Sequence, residues 1–236
     1  MEYAATKILV LGDIHGRTIW KDIVTAENPN LTIFLGDYVT THEDITPEQQ
    51  LSNLSDILTY KEENLDSVIL LRGNHCLESL GYYWAECYPT EPKVREKLSK
   101  SPLKDRFLSL TQWIYIYNNI LFSHAGVSKV WMENNNIKDV NDINKLESSE
   151  VFAFTPDSLH DMSGYSVTQP PVWIRPVSLL ECNVDGYTQI VGHTPIKKIH
   201  CEEAPNGEYI WLCDALGDKQ YLLIDNGIFI PKRFTL

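Results

Sequence analysis

Short apolar runs punctuate the chain, and the residues that interrupt them set its pattern. Residues 7–11, 31–35 and 67–71 are near-continuous runs of Ile, Leu, Val and Phe, as expected of strands buried on both faces. Between them, residues 17–26 and 47–60 read as helices. Thr46 is the expected N-cap of the second, with Pro47 at its first helical position and Gln49 three residues after the cap. This β-α-β-α-β order predicts parallel strands joined by right-handed crossovers. Residues 82–110 are rich in helix formers broken by Pro89, Pro92 and Pro102, which predicts two or three short helices packed over the core as a helical insertion. Residues 113–117 and 120–123 then flank Asn118-Asn119, a hairpin signal, and a short helix at 128–133 is stopped by Asn134-Asn135-Asn136. The last third is mainly strand, at 172–174, 187–191, 210–213 and 221–225, with Asn226-Gly227 as a type I′ turn before Ile228. Parallel units first and antiparallel hairpins later predict a mixed α/β fold in which two mixed sheets lie face to face with helices outside.

Five of these runs end in residues that bind metals. Gly12-Asp13-Ile14-His15-Gly16 follows the first, Gly36-Asp37 the second, Gly73-Asn74-His75 the third, His124-Ala125-Gly126 the run at 120–123, and Gly192-His193-Thr194 the run at 187–191. If the strands share a sheet, their carboxyl ends converge, and carboxylate, amide and imidazole groups from distant parts of the chain meet in one crevice. That convergence predicts a dinuclear metal site.

Composition narrows the setting. The 236 residues are 43% hydrophobic, enough for the core of one domain spanning 1–236, and no Ser/Gly/Pro-rich linker divides them. A formal net charge of −12 argues against broad binding to nucleic acid or an anionic membrane. The five cysteines, odd in number and without a C-x-x-C pair, suit a reducing, cytoplasmic setting. The first residues carry no signal-peptide or membrane-span pattern.

In order, the five clusters resemble those of the calcineurin-like metallophosphoesterases, specifically the phosphoprotein-phosphatase (serine/threonine phosphatase-like) branch. That pattern runs G-D-x-H-G, G-D-x-V, R-G-N-H, S-H-A-G and G-H-T; this chain has Gly12–Gly16, Gly36-Asp37-Tyr38-Val39, Arg72-Gly73-Asn74-His75, Ser123-His124-Ala125-Gly126 and Gly192-His193-Thr194. The segment Trp173-Ile174-Arg175-Pro176 is similar to the W-x-R of bacterial and phage members. The resemblance implies a four-layer α-β-β-α sandwich. It also implies that Asp13, His15 and Asp37 hold one divalent metal and Asp37, Asn74, His124 and His193 a second, with Asp37 bridging. Manganese is the foremost candidate, with iron, zinc or nickel as alternatives. A hydroxide between the metals would then attack a phosphomonoester while His75 protonates the leaving oxygen. Arg175 and Arg72 are the candidate phosphate clamps, Arg72 with the alternative of supporting its loop.

The chain departs from this pattern after Val39. Thr40 stands where the branch carries an aspartate that orients the acid histidine, and Thr41 where it carries a phosphate-binding arginine. His42 offers a substitute cation or is an ordinary loop residue, Cys76 follows His75 in place of a glutamate, and Asp214 reads as structural. The expected substrate is therefore a phosphorylated protein or small phosphoester. A nucleotide or dinucleoside polyphosphate is the alternative, with Tyr82, Tyr83 and Trp84 as candidate stacking residues. A metal-bearing phosphate-binding module weakened by Thr40 and Thr41 is a third reading.

Overall fold

The computed structural model describes residues 6–82, 90–146, 148–154 and 163–235. Its first sheet is built from β1 (Lys7–Leu11), β2 (Leu31–Phe34), β3 (Val68–Leu70), β9 (Gln220–Asp225) and β10 (Ile228–Arg233), in the order β10-β9-β1-β2-β3. The second contains β4 (Ile114–Tyr117), β5 (Ile120–Ser123), β6 (Thr188–Val191), β7 (His200–Glu203) and β8 (Tyr209–Leu212), in the order β4-β5-β6-β8-β7. Strands β1, β2 and β3 are mutually parallel, as are β5, β6 and β8, while β9, β10, β4 and β7 complete the sheets with antiparallel pairings.

Strand alternation explains why the sequence runs are unbroken. In β1, Ile8 and Val10 face the space between the sheets, where they join Ile33, Ile120, Phe122, Ile190 and Ile224. Leu9 and Leu11 face the other way, onto Trp20 and Ile23 of α1 (Trp20–Glu27) and Leu54, Ile57 and Leu58 of α2 (Pro47–Glu63). The second sheet repeats the plan: Leu121 packs outward on Trp131 of α6 (Lys129–Asn134), and Val191 and Leu212 on Leu179 of α7 (Pro176–Cys182). Both faces of both sheets are thus covered, and the chain is a helix-sheet-sheet-helix sandwich.

Local signals act as expected at several ends. The Thr46 hydroxyl accepts from Gln49 N at 3.3 Å while the Gln49 side chain accepts from Thr46 N at 2.8 Å, a complete capping box. Asn226 and Gly227 have φ of 51° and 80°, the left-handed pair that a type I′ turn requires. Residues 82–110 supply α4 (Pro92–Ser99) and α5 (Leu103–Leu110).

Two expectations need correction. Residues 172–174 are a turn, not a strand: Pro170-Pro171 cannot donate to a ladder, and the Pro170 carbonyl accepts from both Trp173 N and Ile174 N. The first helix starts at Trp20 rather than at Arg17, because the Arg17 guanidinium is engaged with the preceding loop. A further helix, α3 (Asn74–Ser79), begins inside the third strand-end cluster, with Gly73 at its N-cap.

Candidate metal centre

All five clusters lie at the carboxyl ends of parallel strands, and the two sheets bring them to one place. The ligand atoms of Asp13, His15 and Asp37 lie within 4.8 Å of one another. Beside them the Asn74 side-chain oxygen stands 2.9 Å from His124 Nε2 and 3.0 Å from His193 Nδ1, and Asp37 Oδ2 stands 3.3 Å from His124 Nε2. Six side chains from five strand ends therefore converge, and Asp37 touches both halves.

The tautomers indicate what the cluster is for. Each histidine gives one ring nitrogen to a backbone carbonyl: His15 Nδ1 to Thr40 O at 2.5 Å, His124 Nδ1 to Leu35 O at 2.9 Å, and His193 Nε2 to Trp173 O at 3.1 Å. A carbonyl only accepts, so those nitrogens carry the hydrogens, and each ring turns its other nitrogen toward the carboxylates and the Asn74 oxygen. Carboxylate and amide oxygens gathered on imidazole nitrogens at about 3 Å need positive charge among them, a proton on a ring or a metal ion. Ligands held at about 2.1 Å and at right angles around one ion stand about 3 Å apart, so the spacing and the chemistry both fit divalent metals.

The electrostatics agree. Burial, then the charges of Asp214 and Asp37, push Asp13 well above the usual carboxylate range, and Asp214 rises to about 6 through burial and the Asp37 charge. Burial opposes charge on His124, yet the Asp37 and Asp13 carboxylates outweigh it and lift the ring to about 9. Burial would also raise Asp37, but His124 and then His75 hold it below the usual range. Protons thus supply the neutralising charge wherever a cation does not, and a bound metal displaces them.

The backbone is bent to make this cluster. His15, Asp37 and His193 have φ of 47°, 46° and 63°, and Thr40 has 66°. Among the described residues, four of the other five non-glycine residues with positive φ are asparagines, which with aspartate and histidine enter that region most readily; the β-branched Thr40 is the strained member of the set. Gly73 is there for space: a Cβ at this position would come 2.1 Å from Asp37 Oδ1.

The remaining candidates divide. The His75 ring packs edge-on to His15, with centroids 5.5 Å apart, and burial lowers it to about 4. Arg175 donates through Nη1 to His193 O and Thr194 Oγ1, both at 3.1 Å, and through Nε to Ser163 O, so it is fixed beside a proposed ligand and feels the charges of Asp13, Asp214 and Asp37. Arg72 faces elsewhere: it donates to Thr111 Oγ1, Thr111 O and Leu108 O, all at 2.9 Å, and lies over the Trp113 ring. Its geometry is that of a loop support. The Thr40 hydroxyl meets Ser79 Oγ at 3.1 Å, and Thr41 Oγ1 accepts from Glu43 N. Cys76 is buried, and burial plus the Asp37 charge raise its thiol far above neutrality, so it is not a reactive thiolate. Tyr82 packs at the edge of the core under Lys104, while Tyr83 and Trp84 lie outside the described residues.

Some participants left little trace in the sequence. Asp214 reads as structural there, but its charge raises Asp13 and the Asp37 charge raises it in turn. Arg17 braces the first cluster by donating to Asp13 O at 3.1 Å while pairing with Glu43 at 2.6 Å. The orienting carbonyls of Leu35, Thr40 and Trp173 have no signal in residue type at all. A cavity of about 800 Å³ between the 117–120 and 226–227 turns lies at the opposite ends of the strands and touches none of these residues.

Comparison with known proteins gives the arrangement its context. A cold-active protein-tyrosine phosphatase from a psychrophilic Shewanella species superposes with a TM-score of 0.65 at 17% identity, covering 97% of this chain and 78% of that one. A serine/threonine phosphatase from Saccharomyces cerevisiae gives 0.58 at 15% identity, covering 98% and 81%. A metallophosphoesterase from Sphaerobacter thermophilus gives 0.56 at 14% identity, covering 98% and 89%. At these identities the likeness is one of fold, and no curated protein sequence matches. Residues 6–217, most of the chain and all five clusters, match the calcineurin-like phosphoesterase family, and the chain belongs to that family of metal-dependent phosphoester hydrolases.

Proposed function

We propose that this chain is a phosphomonoesterase of the serine/threonine protein-phosphatase type, in the branch found in bacteria and phages, and that it works with two divalent cations as one cytoplasmic unit. Asp13, His15 and Asp37 would hold one cation and Asp37, Asn74, His124 and His193 the other, with manganese the foremost candidate. The observation that carries this reading is the set of three imidazoles, each fastened by one nitrogen to a carbonyl and presenting the other to carboxylate or amide oxygen. When bound, two such ions draw charge from the phosphoryl oxygens and activate water.

The chain's own residues do the rest. Arg175, anchored through Nε and Nη1, presents the remaining edge of its guanidinium to phosphate oxygens. His75 donates a proton to the leaving oxygen. Burial disfavours its charged form, and the arriving phosphate dianion restores it. With Thr40 bonded to Ser79, no carboxylate at position 40 orients this ring, so the proton-transfer step is tuned differently from that of branch members with Asp there. The compartment is inferred from Cys76, Cys182, Cys201 and Cys213, which are all unbridged.

His75→Asn tests the reading on p-nitrophenyl phosphate with added manganese. The expected result is a fall in kcat of roughly 10²–10⁴ with metal content unchanged. Loss of metal in that variant would make His75 a ligand, and no turnover by the wild-type protein with any divalent ion would favour a phosphate-binding module. Faster hydrolysis of diadenosine tetraphosphate than of a phosphopeptide would favour the nucleotide reading.

A further inference from the structure

Among the exposed features of this acidic chain, one cleft is cationic. Lys197, Lys198, Lys232 and Arg233 line a cavity of about 290 Å³ together with Gln220 and Pro231. Lys232 pairs with Glu27, but Lys197, Lys198 and Arg233 are exposed, and among the described residues no carboxylate pairs with them. Three uncompensated cations therefore meet on a molecule whose net charge is −12.

The register places the cleft on the same rim as the metal centre. Arg233 pairs with Gln220 at the start of β9, and β9 runs antiparallel to β1, so both residues lie at the carboxyl end of β1. His200 pairs with Leu212 two residues before Asp214, which puts Lys198 beyond the carboxyl end of β8. The cleft spans the edges of the two sheets, and the buried Gln220 ties its two sides together. Gln220 donates to Lys197 O at 2.6 Å and accepts from Ile199 N at 3.4 Å, and Ile196 N donates to Asp214 O at 3.0 Å. Lys197 follows His193 by four residues, so the two lie at most about 14 Å apart along the chain. An extended peptide covers about 7–14 Å in two to four residues.

We propose that this cleft binds an acidic stretch of the phosphorylated polypeptide, seating carboxylates two to four residues from the phosphorylated side chain. The proposal rests on the phosphatase reading and adds a sequence preference to it. Separate, exposed lysines suit carboxylates spaced along a strand, and the surrounding negative charge excludes duplex nucleic acid.

Fluorescence anisotropy of the metal-loaded, full chain tests it, with a labelled unphosphorylated Glu-rich peptide and its Ala-for-Glu counterpart as probes. The Glu-rich peptide is expected to bind roughly tenfold more tightly, a preference that disappears in the K197E/R233E variant, is halved in K197Q/R233Q, and is lost at about 0.5 M salt. With the phosphorylated peptides, the ratio of kcat/KM to that for p-nitrophenyl phosphate should fall by the same factor in K197E/R233E. Equal affinity for the two peptides, or an unchanged preference in K197E/R233E, would overturn the proposal. So would inorganic tripolyphosphate displacing the label at lower concentration than the Glu-rich peptide does, because the cleft would then be a polyphosphate site. If p-nitrophenyl phosphate is never hydrolysed while the Glu preference stands, the phosphatase reading fails and the cleft assignment survives.

Discussion

Asn74 gathers the two histidines of the second half of the centre. Its amide oxygen stands 2.9 Å from His124 Nε2 and 3.0 Å from His193 Nδ1, the spacing of ligands gathered around one cation. Such convergence was legible in the sequence as residue types at strand ends, because strands in one sheet leave little choice about where their ends go. The backbone carbonyls that fix the tautomers were not legible, since every residue has one. The role of Arg72 was also hidden: a guanidinium next to a ligand looks the same in sequence whether it faces phosphate or Thr111. At this scale the sharpest test is steric. A Cβ on Gly73 would press on the Asp37 carboxylate, so Gly73→Ala is expected to lower manganese content at least tenfold while leaving the far-ultraviolet circular dichroism unchanged. Full metal content in that variant would mean that Asp37 is free to move and is not held in place by its packing.

Elements with strong apolar or capping signals were readable, and those held by tertiary contacts were not. The α2 N-terminus announces itself through Thr46 and Gln49. By contrast β7, His-Cys-Glu-Glu, is an edge strand with charged, half-exposed side chains, and nothing in its composition marks it as a strand. Helix α7 escaped because Pro176, at its first position, reads equally well as a turn signal. Glu27 shows how distant elements are tied together: at the end of α1 it meets Lys7 of β1 at 2.8 Å, the Tyr221 hydroxyl of β9 at 2.5 Å, and Lys232 of β10. Burial opposes its charge, but bonds from Lys232, Lys7 and Tyr221 prevail and lower it to about 2. A depressed carboxylate contributes stability above its unfolded value and loses it as pH falls through the folded value. Glu27→Gln should therefore cost on the order of 2 kcal/mol at pH 7, the lysines being partly screened, and the gap to wild type should close between about pH 4.5 and 2 in urea unfolding. A gap independent of pH would assign the loss to packing instead of charge.

For the whole molecule, two sheets pressed face to face turn separate strand ends into one rim, and the metal centre and the cationic cleft share it. The first three strands and the β4-β5 and β9-β10 hairpins were legible in the sequence, because their periodicity and turn residues agree with the final fold. Which strand neighbours which across the second sheet was not, since the β6-β8-β7 order depends on contacts far apart in the chain. No described helix is long and apolar enough to cross a membrane. On the proposed reading, what the rim does depends on six side chains holding two ions with Asp37 between them. Elemental analysis of manganese-loaded protein, compared across wild type, His15→Asn and Asp37→Asn, tests that most directly. The account predicts about two ions per chain in wild type, about one in His15→Asn and close to none in Asp37→Asn. Equal metal content in the two variants, or a wild-type chain that takes up no divalent ion, would contradict it.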